Sequence, residues 1–282
     1  TRLWVIVGCI FVPSALVYFM LLVLTRRERN VDKNYASLYF RLFFVQGVIE
    51  LSMLFVYMAG RLLIRERLAG NEFVMSINGG FIPILYYYGT IQFFFNIQIW
   101  GVIVQSIGRF LLICLPESSR VRRLLESTPD PAWALVNIIV PLIPLGRQVL
   151  QDPVSFVLDA NGNAILSVPP AVSQANATQC TITTTVATVF SAFCNVAVVR
   201  QLVLSRSELS TRKYRREVRL AIVGIVHFLV QCSMTAFHVI VIVTAEDQHF
   251  IHLFRHIYII PVMLLTFVNP WMLIITDGNM RR

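Results

Sequence analysis

A single arginine near the end of a long apolar stretch is the first candidate for a functional group in this sequence. The stretch covers residues 81–116, is rich in aromatic side chains, and carries Arg109 as its one charge. Because a charge at membrane depth costs about 2.5–3.5 kcal/mol on insertion scales, Arg109 is expected to have a partner or a function. Glu217, which opens a later apolar run, is the candidate partner, and an Arg109–Glu217 contact could hold two helices together as a switch. Alternatively, Arg109 snorkels to the interface and Glu217 pairs with Lys213 or Arg216 on its own helix.

Glu50 is the second ionisable residue of interest, because it lies in the middle of the apolar run 37–60. An ionisable residue at such a position is a functional hypothesis by default. The alternative is a protonated Glu50 that donates a hydrogen bond to a neighbouring carbonyl. Arg41 lies nearer the end of the same run and is expected to snorkel to the interface.

Helical periodicity groups aromatic and polar residues into one candidate ligand site. Steps of 3.6 residues from Arg109, Glu217 and Asn269 trace one face on each of three apolar runs. If these faces point inward, they line a mostly apolar site with a few polar groups, as small-molecule pockets tend to be. The predicted ligand-binding residues are Tyr88, Ile91, Gln92, Phe95, Gln231, His238 and Tyr258. The alternative is that side chains at this spacing pack in the core or face lipid.

Three histidines raise the question of a metal site. His249, His252 and His256 share one helical face, and Asp247 is close in sequence. No matching acidic or histidine set occurs at the same level of the other runs, so an ordinary interfacial cluster is favoured and no metal is expected. The sequence contains neither a nucleophile elbow nor a phosphate-binding glycine loop. We therefore expect no enzyme activity and no cofactor.

Composition indicates that lipid is the solvent of this chain. Of its 282 residues, 56% are hydrophobic and 14% are charged, whereas an ordinary soluble domain carries about 25% charged residues. The net charge of +9 is spread over short clusters between apolar runs, which is typical of membrane topology rather than of a nucleic-acid-binding face. The five cysteines do not indicate a disulfide framework.

Seven apolar runs are long enough to be membrane-spanning helices. They predict an all-α membrane protein with a single seven-helix transmembrane domain over residues 1–282. The predicted spans are 3–24, 37–60, 81–114, 132–150, 182–204, 218–243 and 254–275.

The distribution of lysine and arginine predicts the orientation of these spans. The segments that follow spans one, three, five and seven contain 15 of these residues, and the opposite side contains 6. The positive-inside rule therefore places the N-terminus outside and the C-terminus inside. The sequon Asn176-Ala177-Thr178 falls on the predicted outside, in the long loop between spans four and five, and predicts glycosylation of Asn176.

Two loops have a composition that suggests a role. The loop 151–180 is the longest, and Asn161-Gly162-Asn163 within it is a turn signal. The inner loop 205–219 is strongly basic. It is expected to contact anionic lipid headgroups, to bind a cytoplasmic partner, or to do both.

Three short motifs resemble those of a known family. They are Pro13-Ser14 with Tyr18 in span one, Gly108-Arg109-Phe110 at the end of span three, and Asn269-Pro270-Trp271-Met272-Leu273-Ile274 at the end of span seven. With seven spans and an outside N-terminus, they resemble G-protein-coupled receptors, and in particular the nematode serpentine chemoreceptors of the Srg superfamily, class V or class gamma.

The resemblance implies a chemosensory receptor in the plasma membrane of sensory cells. Such a receptor binds an external small molecule or peptide in the outer half of the bundle and couples to a heterotrimeric G protein. The resemblance also implies a switch made of Arg109, Glu217, Asn269 and Pro270, and a polar hub between spans two, three and seven made of Glu50, Asn96 and Gln98. The alternative is a seven-helix transporter or channel with a polar pathway at Glu50 and Arg41.

The chain departs from rhodopsin-like receptors in several places. Gly108 stands where those receptors have an acid before the arginine, and Leu273 stands where their seventh helix has a tyrosine. Cys180 could supply half of their usual disulfide, but no cysteine lies near Phe81 to supply the other half. Mechanisms that depend on these groups are not carried over.

Overall fold

The computed structural model describes residues 2–29, 35–65, 68–116, 118–145, 153–207, 211–243 and 258–276. It is mostly helical, because a backbone in lipid must satisfy its hydrogen-bonding groups within each segment. The helices are α1 (Arg2–Glu28), α2 (Leu38–Gly60), α3 (Asn71–Ser76), α4 (Ile82–Leu85), α5 (Phe93–Cys114), α6 (Arg120–Ser127), α7 (Asp130–Leu142), α8 (Pro170–Leu204), α9 (Thr211–Val243) and α10 (Ile259–Thr276).

Shorter segments extend or join these helices. A π-helical turn, Arg61–Arg65, continues α2, and a second one, Tyr86–Gln92, joins α4 to α5. Single 3₁₀ turns follow α7 and α8 at Ile143–Leu145 and Ser205–Ser207. The strands β1 (Ser155–Leu158) and β2 (Ala164–Ser167) form an antiparallel hairpin.

The helices of this structure have the length and surface of a membrane protein. Within the described ranges, five helical segments are long and apolar enough to cross a membrane: Gly8–Glu28, Leu38–Ile64, Ile82–Cys114, Pro170–Leu204 and Glu217–Ile240. The α6–α7 region passes the same test as a pair bent by 93°, and the apolar helix Ile259–Ile275 is shorter. Large apolar side chains such as Phe193 (66% exposed) and Val196 (68% exposed) face outward on α8. The predicted all-α membrane fold is confirmed.

The helix α5 occupies the centre of the bundle. It packs against α2, α7, α8, α9 and α10, while α1 packs against α2 and α10. A side chain on α5 can therefore reach several neighbours, depending on its direction around the helix axis. This central position places Arg109 and the predicted aromatic stripe in the interior.

The predicted loop 151–180 is largely structured. The turn signal is correct, because Asn161-Gly162-Asn163 connects β1 to β2 and Gly162 adopts a positive φ of 72°, which glycine tolerates without strain. The placement of Asn176 in this loop is wrong, because α8 already begins at Pro170 and contains Asn176. A proline in the first turn suits a helix start, since its missing N–H has no partner there in any case.

Candidate functional sites

We describe the two ends of the bundle as outer and inner, following the predicted orientation. In the outer half, side chains from α5 and α9 meet the residue that precedes α10. The ring centroids of Phe95 and His238 are 4.9 Å apart, and those of His238 and Tyr258 are 6.1 Å apart. The His238 Nδ1 atom lies 2.8 Å from the carbonyl oxygen of Met234 one turn below, which orients the ring. The structure thus brings together three of the predicted ligand-binding residues.

A second group of outer residues joins the start of the third span to α8. The Asn176 amide nitrogen donates to the hydroxyl oxygens of Tyr87 (3.2 Å) and Tyr88 (3.3 Å). The Cys180 thiol donates to Gln92 Oε1 over 3.4 Å, and Gln92 Nε2 donates to the Tyr87 hydroxyl over 3.3 Å. Tyr88 and Gln92 are therefore interior residues, as the helical stepping predicted.

Sequence reasoning missed Tyr87, Asn176 and Cys180. Tyr87 lies in the π-helical turn, whose phase differs from 3.6 residues per turn. Asn176 and Cys180 lie one turn apart on the same face of α8. This spacing would have identified them if the helix had been predicted to begin at Pro170.

The last two predicted ligand residues lie at different depths: Ile91 is one turn outward of Phe95, and Gln231 is two turns inward of His238. Ile91 is half-buried and packs against the large central cluster and against the outer cluster that contains Tyr87 and Tyr88. Gln231 is fully buried (0% exposed), and neither its Oε1 nor its Nε2 has a hydrogen-bond partner among the described residues. A buried amide without partners is costly by about 1–3 kcal/mol. It is therefore a natural point of contact for a polar group of a ligand.

The position of Asn176 argues against its glycosylation. The residue is 3% exposed, and the amide nitrogen to which a glycan would be attached donates to two tyrosines. A sugar at this atom would have to fit between α8 and the tyrosines. In this structure Asn176 forms a polar contact inside the bundle. Glycosylation of Asn176 would require a conformation in which its side chain leaves the two tyrosines and reaches solvent.

The outer end is covered by two connecting segments that are joined to each other. The Asn78 side chain accepts from the backbone nitrogen of Phe156 (2.6 Å) and donates to its carbonyl oxygen (2.7 Å), as a neighbouring strand would. The Asn71 side chain accepts from the backbone nitrogen of Ala164 (3.1 Å) and donates to the carbonyl oxygen of Gly162 (3.1 Å). Val154, just before the hairpin, packs with Tyr87 and Tyr88, so this cover contacts the outer site directly.

Arg109 lies inside the bundle and is only 1% exposed, so the alternative in which it snorkels to the interface is wrong. Its Nη2 donates to Ser106 Oγ over 3.3 Å, and that hydroxyl lies 2.9 Å from Ser191 Oγ on α8. Neither its Nε nor its Nη1 has a hydrogen-bond partner in the part of the chain that the structure describes. The guanidinium lies against α9 at Gly224, where an added Cβ would be 2.8 Å from Arg109 Nε.

The predicted Arg109–Glu217 contact is not formed in this structure. The pairs Phe95–His238 and Arg109–Gly224 share one register between α5 and α9. This register places Glu217 seven residues before Gly224, about 10 Å further along α9 at 1.5 Å per residue. Helical phase predicts which side of each helix Arg109 and Glu217 occupy, but it does not predict how far apart they lie along the helix axes. The side chains of Lys213 and Arg216 are outside the described part, so the local pairing of Glu217 stays a prediction.

Polar side chains from four helices surround Arg109. Tyr39 from α2 lies beside Arg109 and Asn269, and His227 from α9 lies beside Arg109. Asn269 Nδ2 donates to Gln105 Oε1, which ties α10 to α5 just before Pro270, a proline inside α10. Several atoms of this set have no hydrogen-bond partner among the residues with a described structure: Tyr39 Oη, Arg109 Nε and Nη1, Asn195 Nδ2, His227 Nδ1 and Asn269 Oδ1.

The predicted polar hub of Glu50, Asn96 and Gln98 is not one cluster. Glu50 accepts from the Tyr18 hydroxyl (3.1 Å) and from Gln46 Nε2 (3.0 Å). The Glu50 carboxylate packs directly against Gly101 of α5, where a larger residue would overlap it. The Tyr18 contact joins α1 to α2, and the Gln46 contact lies within α2. Glu50 is thus bonded to a hydroxyl and an amide, and the alternative in which it donates to a carbonyl is not what the structure contains.

Asn96 and Gln98 point to different neighbours. Asn96 Nδ2 donates to the carbonyl of Pro141 (3.2 Å) on α7, whereas Gln98 Nε2 donates to Val262 O (2.9 Å) and Thr266 Oγ1 (2.5 Å) on α10. Residues two apart on a helix differ by about 200° around its axis. The two amides therefore stabilise two separate interfaces of α5.

Arg41 does not snorkel but forms an ion cluster at the inner end. Its Nε donates to Asp130 Oδ1 over 2.9 Å, its Nη1 donates to the Glu126 carbonyl over 2.5 Å, and Arg29 Nη1 donates to Asp130 Oδ2 over 2.7 Å. Partial burial raises the pKa of Asp130, but hydrogen bonds from Arg29 and Arg41 outweigh this and bring the pKa below its ordinary value. Arg41 is thus directed towards Asp130 while Glu50 is directed towards Tyr18, so they do not share the polar pathway that a transporter would need.

The histidine cluster at 249–256 lies outside the described residues. Within the described ranges, no group of three or more histidine, cysteine, aspartate or glutamate side chains could hold a metal. All five cysteines are described and are not in disulfides, and Cys180 is buried.

A family model described as serpentine type 7TM GPCR chemoreceptor Srv matches residues 7–282. The chain belongs to the serpentine Srv chemoreceptor family. Srv membership agrees with the topology of long apolar helices and makes the chain a multi-pass membrane receptor of the chemoreceptor type. No curated protein matches the chain significantly. Placement of this Srv receptor in the wider Srg superfamily stays a prediction.

Two of the three motifs that resembled the serpentine family, those of the first and seventh spans, pack together in this Srv receptor. Trp271 Nε1 donates to Ser14 Oγ over 3.0 Å, which ties the inner part of α10 to α1. The rings of Tyr18 and Phe267 lie 6.5 Å apart between the same two helices. Residues at the two ends of the sequence therefore form one interface.

Proposed function

We propose that this Srv receptor binds an external small molecule in the outer half of the bundle and signals to a heterotrimeric G protein at the inner face. In this proposal residues 1–282 form a single seven-helix domain in the plasma membrane, with the N-terminus outside. The observation that carries the proposal is that α5 and α9 connect two sites in one register. Phe95 meets His238 in the outer half, and Arg109 meets Gly224 in the inner half.

The side chains of the outer site favour an uncharged, partly aromatic ligand. The site combines the rings of Phe95, His238 and Tyr258 with the amide of Gln92, and the buried amide of Gln231 lies seven residues before His238, about 10 Å deeper along α9. None of these side chains carries a full charge that would compensate an ionic ligand. Stacking on the rings and a hydrogen bond to Gln231 would supply affinity and orientation.

The positive charge of the inner face favours a cytoplasmic partner with acidic groups. Described arginines at this end include Arg120, Arg123, Arg206, Arg215 and Arg219, and the short helix α6 lies at a sharp angle to α7. The helix α5 ends at this face and α9 begins there. A ligand that changes the packing of these two helices in the outer half would therefore also change the inner surface. A basic surface of this kind also contacts anionic lipid headgroups.

A guanine-nucleotide exchange assay tests this proposal. Membranes with the receptor and a reconstituted heterotrimeric G protein would be screened against uncharged aromatic compounds. We expect ligand-dependent exchange that shifts to at least tenfold higher concentration in His238→Ala. The control is Phe193→Ala on the lipid-facing side of α8, where the potency should not change.

Two outcomes would contradict the proposal. The first is equal potency of a ligand on His238→Ala and the unchanged receptor at equal surface expression. The second is solute flux in proteoliposomes without any nucleotide exchange, which would favour a transporter.

A further inference from the structure

Arg109 is a buried cation without a counter-ion among the described residues. The carboxylate of Glu50 packs at Gly101, eight residues before Arg109 and about 12 Å away along α5. Glu217 lies about 10 Å away in the opposite direction, as the register of α5 and α9 requires. Ser106, which accepts a hydrogen bond from Arg109, and Tyr39, which lies beside the guanidinium, are both neutral. Removing a charge from water without compensation costs several kcal/mol, so this site requires a negative charge.

Among the described residues, Asn269 Oδ1 is an unpartnered acceptor in this set, but most of the unpartnered polar atoms around Arg109 are hydrogen-bond donors. They comprise two guanidinium nitrogens of Arg109, the amide nitrogen of Asn195 and the hydroxyl of Tyr39, and His227 Nδ1 can add a further N–H. Each side chain is more than nine-tenths buried. They come from α5, α8, α2 and α9, so one acceptor at their centre would join four helices.

The close approach of these groups to α9 depends on Gly224. An added Cβ there would lie 2.7 Å from Asn195 Oδ1 and 2.8 Å from Arg109 Nε. The side chains of Arg109 and Asn195 therefore both pack against Gly224. His227 lies one turn further along the same face of α9. The side chains of Arg109, Asn195 and His227 thus lie in one cluster at this face of α9, and Tyr39 lies beside Arg109.

We propose that this cluster binds a small monovalent inorganic anion, with chloride as the occupant. One negative charge would neutralise Arg109, whereas a divalent anion would leave a net negative charge in the hydrocarbon core. The donor set of a guanidinium, an amide and a hydroxyl satisfies such an anion by charge-assisted hydrogen bonds. The bound anion stabilises the packing of α9 against α5 and α8. This inference concerns the inner half of the bundle and does not depend on the identity of the external ligand.

The test is thermal unfolding of the full-length receptor in detergent, with sodium chloride replaced stepwise by sodium gluconate at constant ionic strength. Gluconate is too large for a site between packed helices. We expect the Tm to rise saturably with chloride, by roughly 5 °C when chloride reaches 100 times its Kd. Equilibrium binding of radioactive chloride should give one site per chain.

Three variants make the result specific. In Asn195→Asp a carboxylate beside Arg109 replaces the anion, so the variant should fold, lose chloride binding and lose the chloride dependence of Tm. Arg109→Gln removes the charge and should lose both as well. Arg41→Gln, which removes an arginine of the inner ion cluster, should keep both.

The proposal is overturned if the Tm of the unchanged receptor is the same in chloride and gluconate. It is also overturned if Asn195→Asp and Arg41→Gln bind chloride equally well. In either case the donors around Arg109 are satisfied by water or by a change in packing.

Discussion

Gly224 allows the buried arginine to lie against α9, and Gly224→Ala is therefore the most direct test of the inner site. The new Cβ would stand 2.7 Å from Asn195 Oδ1, 2.8 Å from Arg109 Nε and 3.2 Å from Arg109 Cζ. Ordinary van der Waals contact begins at 3.4 Å. The side chains or α9 must therefore move by about 0.7 Å, the difference between 3.4 and 2.7 Å.

The magnitude follows from two opposing effects. Overpacking a well-packed interior costs about 1–3 kcal/mol, while replacing glycine by alanine inside a helix stabilises it by up to about 1 kcal/mol. We expect a net loss of about 1–2 kcal/mol, which corresponds to a Tm lower by roughly 2–4 °C for a chain of this size. Because the displaced contact joins α9 to α5 and α8, basal guanine-nucleotide exchange should also change.

The assay is thermal unfolding in detergent with Gly8→Ala as the matched control. Gly8 also lies in a membrane helix, and nothing lies within 4 Å of an added Cβ there. The control should keep or slightly raise the Tm. Adding Asn195→Ala to Gly224→Ala removes the 2.7 Å contact and should recover part of the loss. A Gly224→Ala receptor as stable as the Gly8→Ala control, with unchanged basal exchange, would refute the assignment of Arg109 to this glycine.

Three further predictions follow from contacts elsewhere. Asp130→Asn should lower the Tm at pH 7, because it removes the ion pairs with Arg29 and Arg41. Folding lowers the pKa of Asp130, so the carboxylate contributes its full stabilisation above the unfolded pKa of about 3.9. That stabilisation is lost as the pH falls through the lower pKa of the folded state. Asn78→Ala should at least triple the hydrogen-exchange rate of the Phe156 amide, measured by mass spectrometry, and an unchanged rate would disprove its bridging role. Gly101→Ala should cost about 1–3 kcal/mol in thermal unfolding, because its Cβ would overlap Glu50, and a stability equal to that of the Gly8→Ala control would contradict this.

Helical phase was the most reliable part of the sequence prediction. Phe95, His238 and Tyr258 were each placed by counting along their own helices, and the structure brings them together. Counting works within one helix because 3.6 residues per turn is a local property of the backbone. It failed at Tyr87, where a π-helical turn changes the period.

The partners of polar residues near the ends of the spans were harder to predict, because such a residue can face water, face a lipid headgroup or bond to another helix. Asn176 was assigned to a glycosylated loop, but its amide is bonded to two tyrosines inside the bundle. Arg41 was expected to snorkel, but Asp130 from another helix provides an ion pair. Neither partner is near in sequence, so local pattern alone could not reveal it.

The sequence by itself determined that this chain is an all-α membrane protein with an arginine near the end of its third span and an aromatic face on the same span, whereas the burial of that arginine was decided by the structure. These features depend on composition, on segment length and on the period of the helix. Only the tertiary structure decided the relative height of the helices. That height placed Arg109 at Gly224 instead of Glu217, and it divided the predicted hub of Glu50, Asn96 and Gln98 among three interfaces. The physical reason is that helices in lipid can slide along one another without changing their own hydrogen bonds, so the packing of side chains such as glycine and arginine sets the register.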